Sequence, residues 1–139
     1  MLHRVIYVSD TAEPTVSSTL SIAQILGVSE NNNRRDELCS AMLFHDGRVL
    51  QAIEGDRNDI DRLMRRLASD PRHKRVRIVS DVPITERLLT RPMTLCTPSS
   101  EIVTQLLDTR PLTGVTEAEA TALLGIPPSR RAHGAPPIR

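Results

Sequence analysis

The sequence predicts an α+β fold: a ferredoxin-like β-α-β-β-α-β-β sandwich with two helices on one sheet face and C-terminal helices on the other. Three observations carry that prediction. The opening run Leu2 to Ser9 is rich in β-branched residues and apolar on both alternating faces, as a strand inside a sheet must be. Two strand-like runs, Leu38 to Phe44 and Arg48 to Ile53, flank Asp46-Gly47, a dipeptide that supplies the positive backbone angles of a tight hairpin turn. Ile60, Leu63, Met64 and Leu67 then fall at i, i+3, i+4 and i+7, one face of a helix.

The remaining elements follow in order. After a turn-rich break at Asp10 to Pro14, Val16, Leu20, Ile22, Ala23, Ile25 and Leu26 form a helical stripe over Thr15 to Gly27, which Gly27 closes. The polar stretch Ser29 to Asp36 is expected to lie outside the core. On the second hairpin strand Val49, Gln51 and Ile53 share one face and Leu50 and Ala52 the other, with Gln51 expected to face the helices. Asp56 reads as an N-cap, and Pro71 ends the second helix. Val76 to Val82 reads as a fourth strand and Met93 to Cys96 as a short fifth, after the Arg91-Pro92 break. Ser100 to Leu107 is a short helix, and Thr116-Glu117-Ala118-Glu119 is a capping box that opens another. Their apolar faces need the sheet face that the first two helices leave open. The chain thus divides into a domain at residues 1–97, a helical cap at 98–126 and a Pro- and Arg-rich tail at 127–139 that is expected to be disordered.

Composition narrows the function. At 139 residues there is room for one core, built from aliphatics, since the chain has one Tyr, one Phe and no Trp. A formal net charge of +1 supplies no long-range field toward nucleic acid or an anionic membrane. Cys39 and Cys96 lie far apart without metal-ligand spacing, as in a reduced cytoplasmic protein. No apolar run is long enough for a signal peptide or a bilayer span. Gly-rich phosphate loops, a nucleophile elbow and His/Cys metal spacing are all missing. His3, His45, His73 and His133 are scattered, and Glu54 and Asp56 read as ordinary solvated carboxylates. The sequence offers an enzyme little to work with.

Three features remain. Tyr7 sits inside a strand, Gln51 on the inner face of another, and the run Asn31 to Asn33 follows the first helix. Taken singly, they read as a core tyrosine, an edge-strand glutamine and a solvated loop. Taken together, they match a flavin, whose pyrimidine edge alternates carbonyl acceptor, N–H donor and carbonyl acceptor. Side-chain amides complement that edge without adding charge, and an apolar slot between two helices suits a planar ring.

Over roughly residues 1–97 the sequence resembles the BLUF family (blue-light sensing using flavin). Its opening strand, Arg4 to Ser9, is similar to the family's, whose tyrosine sits beside the flavin, a role that falls on Tyr7. The segment Ser29 to Asp36 resembles one with an Asn pair, which implies that Asn32 and Asn33 hold the flavin ring. Met42 to Gly55 is the strongest match and carries the family's switching glutamine as Gln51, with its Leu/Ile-Glu-Gly ending. Leu63 to His73 resembles a segment whose polar side chains reach the flavin ring, ribityl or phosphate, implicating Arg66, Asp70, Arg72 and His73. Spacing from Tyr7 through Asn33 and Gln51 to His73 needs no gap. Two departures stand out. The family's Gly-Ile-Thr-Gly is here Glu37-Leu38-Cys39-Ser40, and its fifth-strand Trp is missing although Met93 is kept. An aromatic in that segment is replaced by Leu88 or Leu89.

The resemblance implies a blue-light photoreceptor that binds FAD and is not an enzyme. Tyr7 would donate an electron and then a proton, and Gln51 would change orientation or tautomer. The rearranged hydrogen bonds would then signal through Met93 and the C-terminal helices to an unidentified downstream protein, with a homodimer expected. The rival readings are a flavin-free BLUF-like interaction module and, more remotely, a small acylphosphatase-like hydrolase, for which Asp10 to Pro14 is acidic and lacks Gly.

Overall fold

A computed structural model of the chain describes residues 1–11, 29–69 and 73–127, without the side chains of Thr11, His73 and Lys74. Five strands form one sheet: β1 (Leu2–Thr11), β2 (Cys39–His45), β3 (Arg48–Asp56), β4 (His73–Pro83) and β5 (Thr94–Leu95). Helical segments are α1 (29–35), α2 (Arg57–Ala68), α3 (Ser100–Leu107), a 3-10 turn at Leu112–Gly114, and α4 (Glu117–Leu123). The strand order is β4-β1-β3-β2-β5. All neighbours are antiparallel except β5, which runs parallel to β2. This is the α+β sandwich the sequence predicts. The expected helix at Thr15 to Gly27 and the tail beyond Pro127 lie outside the described residues.

β1 is an interior strand, and its consecutive residues Val5, Ile6, Tyr7 and Val8 are all buried. Both of its faces therefore need cover. On one face Val5, Tyr7, Met42, Val49 and Ile53 pack with Leu38, Met93 and Ile60 of α2. On the other, Ile6, Val8, Ala41, Leu43, Leu50 and Ala52 pack beneath Leu107, Leu112, Val115, Ala120, Leu123 and Leu124. The C-terminal helices thus cover the second face, as their apolar stripes require. Antiparallel pairing of Thr11 with His73 carries β1 and β4 beyond their expected ends.

Local chemistry sets the element ends. Asp46 and Gly47 both have positive φ, 52° and 72°, so the hairpin turns as expected. Asp56 caps α2 by accepting from the Asn58 N–H at 3.0 Å. Thr116 and Glu119 form the reciprocal capping box of α4. Gly55 is needed for close packing: a Cβ there would come within 2.4 Å of Leu38 Cδ2, on a side chain only 1% exposed.

Two expectations and one rival reading need correction. Residues 29–35 are helical rather than a loop, and Asn33 within them is buried. Gln51 is not on an edge strand, because β3 lies between β1 and β2. Glu54 is not solvated but fully buried. Its Oε2 accepts from Arg4 Nε at 3.0 Å and Nη2 at 2.8 Å, and its Oε1 accepts from the Leu88 and Leu89 N–H groups, both at 2.8 Å. Arg87 adds a bond to the Glu54 carbonyl at 3.1 Å. A buried carboxylate survives when every lone pair is satisfied in this way. It pins the segment between β4 and β5 against β3.

Glu37 has a φ of 59°. A side chain in that left-handed region costs about 1–2 kcal/mol. Part of this is offset by the greater freedom that glycine has in the unfolded chain, so Glu37→Gly is expected to stabilise the fold by about 0.5–1 kcal/mol. A lower urea midpoint in that variant would contradict the strain. Arg4→Met leaves Glu54 buried and unpaired and should cost about 3–5 kcal/mol. Adding Glu54→Gln, which keeps an acceptor for Leu88 and Leu89, should restore part of that stability in the same titration. No recovery would show that charge is not the cause.

Candidate functional site

The face beneath α2 gathers the polar groups that the apolar core cannot ignore. Tyr7 and Gln51 are direct partners in the β1–β3 register. Both side chains point toward α2, and both residues are buried, at 0% and 4% exposure. The Tyr7 hydroxyl donates to Gln51 Oε1. That bond uses the carboxamide oxygen only. Among the described residues nothing accepts from the Gln51 NH₂ group, so a buried amide presents two donors to whatever lies beside it. A group bearing acceptors would complement it.

Met42 stands opposite Gln51 on β2, and Met93 packs in the same cluster as Tyr7. Asn33 reaches this cluster from α1. Its Nδ2 donates to Ser40 Oγ at 3.0 Å and to the Pro92 carbonyl at 2.8 Å. Ser40 Oγ in turn lies 3.4 Å from Met93 Sδ. Tyr7 and Gln51 are thus joined directly, Asn33 and Met93 are joined through Ser40, and all four occupy one sheet face.

The other candidates are placed differently. Asn32 is half-buried, and its carbonyl accepts from the Asp36 N–H at 3.0 Å, which closes the end of α1. Arg66, near the end of α2, donates to Asp36 Oδ2 at 3.4 Å. The hydrogen bond from Arg35 holds the Asp36 carboxyl below the usual carboxylate range, and the charges of Arg35, Arg66 and Arg62 act in the same direction. Arg66 therefore ties the end of α2 to the end of α1 rather than reaching the Tyr7–Gln51 pair. Asp70 and Arg72 lie outside the described residues, as does the His73 side chain.

Sequence reasoning missed Ser40 as the link between Asn33 and Met93. It noted only that a glycine had been replaced. The signal lay in the type of replacement, since a hydroxyl at a buried strand position must find partners. No cluster of acidic, His or Cys side chains able to hold a metal occurs among the described residues. No helix among them is long and apolar enough to cross a membrane.

Known proteins resemble this chain in sequence and in fold. A protein of Euglena gracilis, photoactivated adenylate cyclase subunit beta-like protein 1224-5/9F, is 30% identical over 87 residues, covering 63% of this chain and 10% of its own length. Photoactivated adenylate cyclase subunit alpha of the same organism is 29% identical over 87 residues, 63% of this chain and 8% of its own. The chain thus spans about a tenth of the length of these curated relatives. Among solved structures, BlrB, a BLUF protein in its dark state, superposes with a TM-score of 0.71 at 26% identity over 88% of this chain and 91% of that one. The photo-activated state of BlsA gives a TM-score of 0.79 over 90% and 93%, and at 20% identity it speaks for the fold alone. The family described as sensors of blue-light using FAD matches residues 2–92, from the first residue of β1 to the Pro92 carbonyl that receives Asn33, and the chain belongs to that family, BLUF.

Proposed function

We propose that this chain is a blue-light photoreceptor in which Tyr7 and Gln51 convert absorption by a bound flavin, FAD, into a new hydrogen-bond pattern. The observation that carries the reading is the buried Tyr7–Gln51 bond with the Gln51 NH₂ group unused. The donor set fits the group. An amide nitrogen with two protons suits the acceptor edge of a flavin ring, and Asn33 supplies a second amide on the same face. Residues that would hold the cofactor are Tyr7, Asn32, Asn33, Gln51, Arg66, Asp70, Arg72 and His73. The bound flavin would supply blue-light absorption and an excited state able to accept an electron.

The protein's part follows from one amide. Tyr7 is the electron and proton donor, and its hydroxyl proton already points along the bond to Gln51 Oε1. Gln51 then changes orientation or tautomer, which exchanges donor for acceptor at one place. When the proton returns to Tyr7, the altered pattern persists without a net buried charge, which burial would disfavour. Met42 and Met93 flank this movement with flexible side chains that refill space after small shifts.

Output is proposed to run through Met93 and β5 to α3 and α4, and from there to a downstream protein. In this reading residues 98–126 act as a cap rather than as a catalytic domain, and the chain itself performs no enzymatic turnover in the cytoplasm. Exposed Leu95 and Ile102, at 41% and 44% exposure, lie where such a contact or a homodimer would form. The glycine substitutions and the missing Trp are what a flavin-free interaction module would also show. The unused Gln51 donors favour the sensor.

The purified protein should be yellow, and its absorption should shift reversibly to the red under blue light. Tyr7→Phe and Gln51→Ala should each abolish that shift while flavin remains bound. A normal shift in either variant would overturn the roles given to these residues, and a colourless protein that takes up no added FAD would overturn the sensor reading.

A further inference from the structure

Ser40 makes contacts that the glycine of the family pattern could not. It is fully buried on β2. Its Oγ accepts from Asn33 Nδ2 at 3.0 Å and faces two acceptors, the Pro92 carbonyl at 2.9 Å and Met93 Sδ at 3.4 Å. Its backbone N–H donates to the Arg91 carbonyl at 3.2 Å. The residue thus touches α1, the segment before β5, and the methionine beside Tyr7.

A hydroxyl has one proton to give. Ser40 can satisfy Pro92 or Met93, and the alternative it takes depends on Asn33, which donates to the same Pro92 carbonyl at 2.8 Å. While the Asn33 amide supplies Pro92, the Ser40 proton can turn to the Met93 sulfur. If Asn33 turns away, the partly buried Pro92 carbonyl loses a bond. The Ser40 proton is then drawn to that stronger acceptor and releases Met93. The hydroxyl rotates, and no bond to hydrogen is broken.

We infer that Ser40 is a positioning residue that relays the state of the Asn33 amide to Met93 and the β5 edge. This rests on the light-sensor reading, in which Asn33 holds the flavin. It explains how β5 is addressed in a chain without Trp. Met93 immediately precedes Thr94 and Leu95, which pair with Ala41 and Met42. A tethered or released Met93 therefore changes how firmly β5 is held on the sheet.

The experiment is hydrogen exchange over residues 91–96, in the dark and under blue light, with Ser40→Ala and Ser40→Thr compared with the unaltered protein. Ser40→Ala should keep its flavin and the full red shift, because Tyr7 and Gln51 are untouched. It should lose the light-dependent change in exchange at Thr94 and Leu95, and its recovery in the dark should change by about three- to tenfold, as for loss of one hydrogen bond. Ser40→Thr, which keeps the hydroxyl, should retain the light response. A full response in Ser40→Ala, or equal loss in both variants, would overturn the relay. If Ser40→Ala fails to fold, Ser40→Gly takes its place with the same expectation. A protein that binds no flavin would defeat the sensor reading, and dark exchange would still decide the contact. Faster exchange at Thr94 and Leu95 in Ser40→Ala than in Ser40→Thr would support the Ser40 tether, and equal exchange would overturn it.

Discussion

The site depends on one hydrogen bond between two interior strands, from the Tyr7 hydroxyl to the Gln51 carboxamide. Its existence is a matter of register. Tyr7 and Gln51 face each other in the β1–β3 ladder, so both side chains leave the sheet on the same side. A slip of one residue would send Gln51 to the opposite face, among Leu50's neighbours beneath the C-terminal helices. The Asp46-Gly47 turn fixes the β2–β3 register. The burial of Ile6 and Val8 on the far side of β1 penalises any alternative β1–β3 pairing. Polar geometry at the site is thus enforced by apolar packing away from it.

The same strand does different work on its two faces. Toward α2, β3 presents Gln51, an amide with unused donors. Toward the other face it presents Glu54, a carboxylate with none of its capacity unused. Glu54 holds Leu88 and Leu89, while Asn33 and Ser40 hold Pro92, so the irregular segment leading to β5 is fastened at both ends. A segment fastened in this way can pass on a small change at one attachment as a displacement at the next. A loosely held loop would absorb it.

Much of this was legible in the sequence. Strand alternation placed Gln51 on the helix-facing side, and the Asp-Gly turn and the helical spacing of Ile60 to Leu67 gave the elements around it. What stayed hidden shares one physical cause. Glu54, Asn33 and Ser40 are polar residues whose burial is permitted only by partners distant in sequence or lying on irregular backbone. The partner of Glu54 is Arg4, with Leu88 and Leu89 N–H groups that no periodic pattern reveals. Asn33 sits in a run of polar residues that reads as solvated, yet α1 turns this one inward. Side-chain identity shows the cost of burying a polar group. Only the fold shows that the cost is met.

The scarcity of aromatics bears on the chemistry as well as on the packing. With Phe44 only half-buried at the rim of the cluster and no tryptophan in the chain, Tyr7 is the one phenol or indole that can give up an electron from within the core. In the proposed reading an electron leaving Tyr7 would make its hydroxyl proton strongly acidic, and Gln51 Oε1 stands in line to receive it. Its described neighbours Met42, Met93, Val5 and Ile53 are aliphatic or thioether side chains, far weaker proton acceptors than an amide oxygen. A more aromatic core would give the electron other origins. A more polar one would give the proton other destinations. In the proposed reading, the aliphatic and thioether side chains described around the pair would help to confine the reaction to one phenol and one amide.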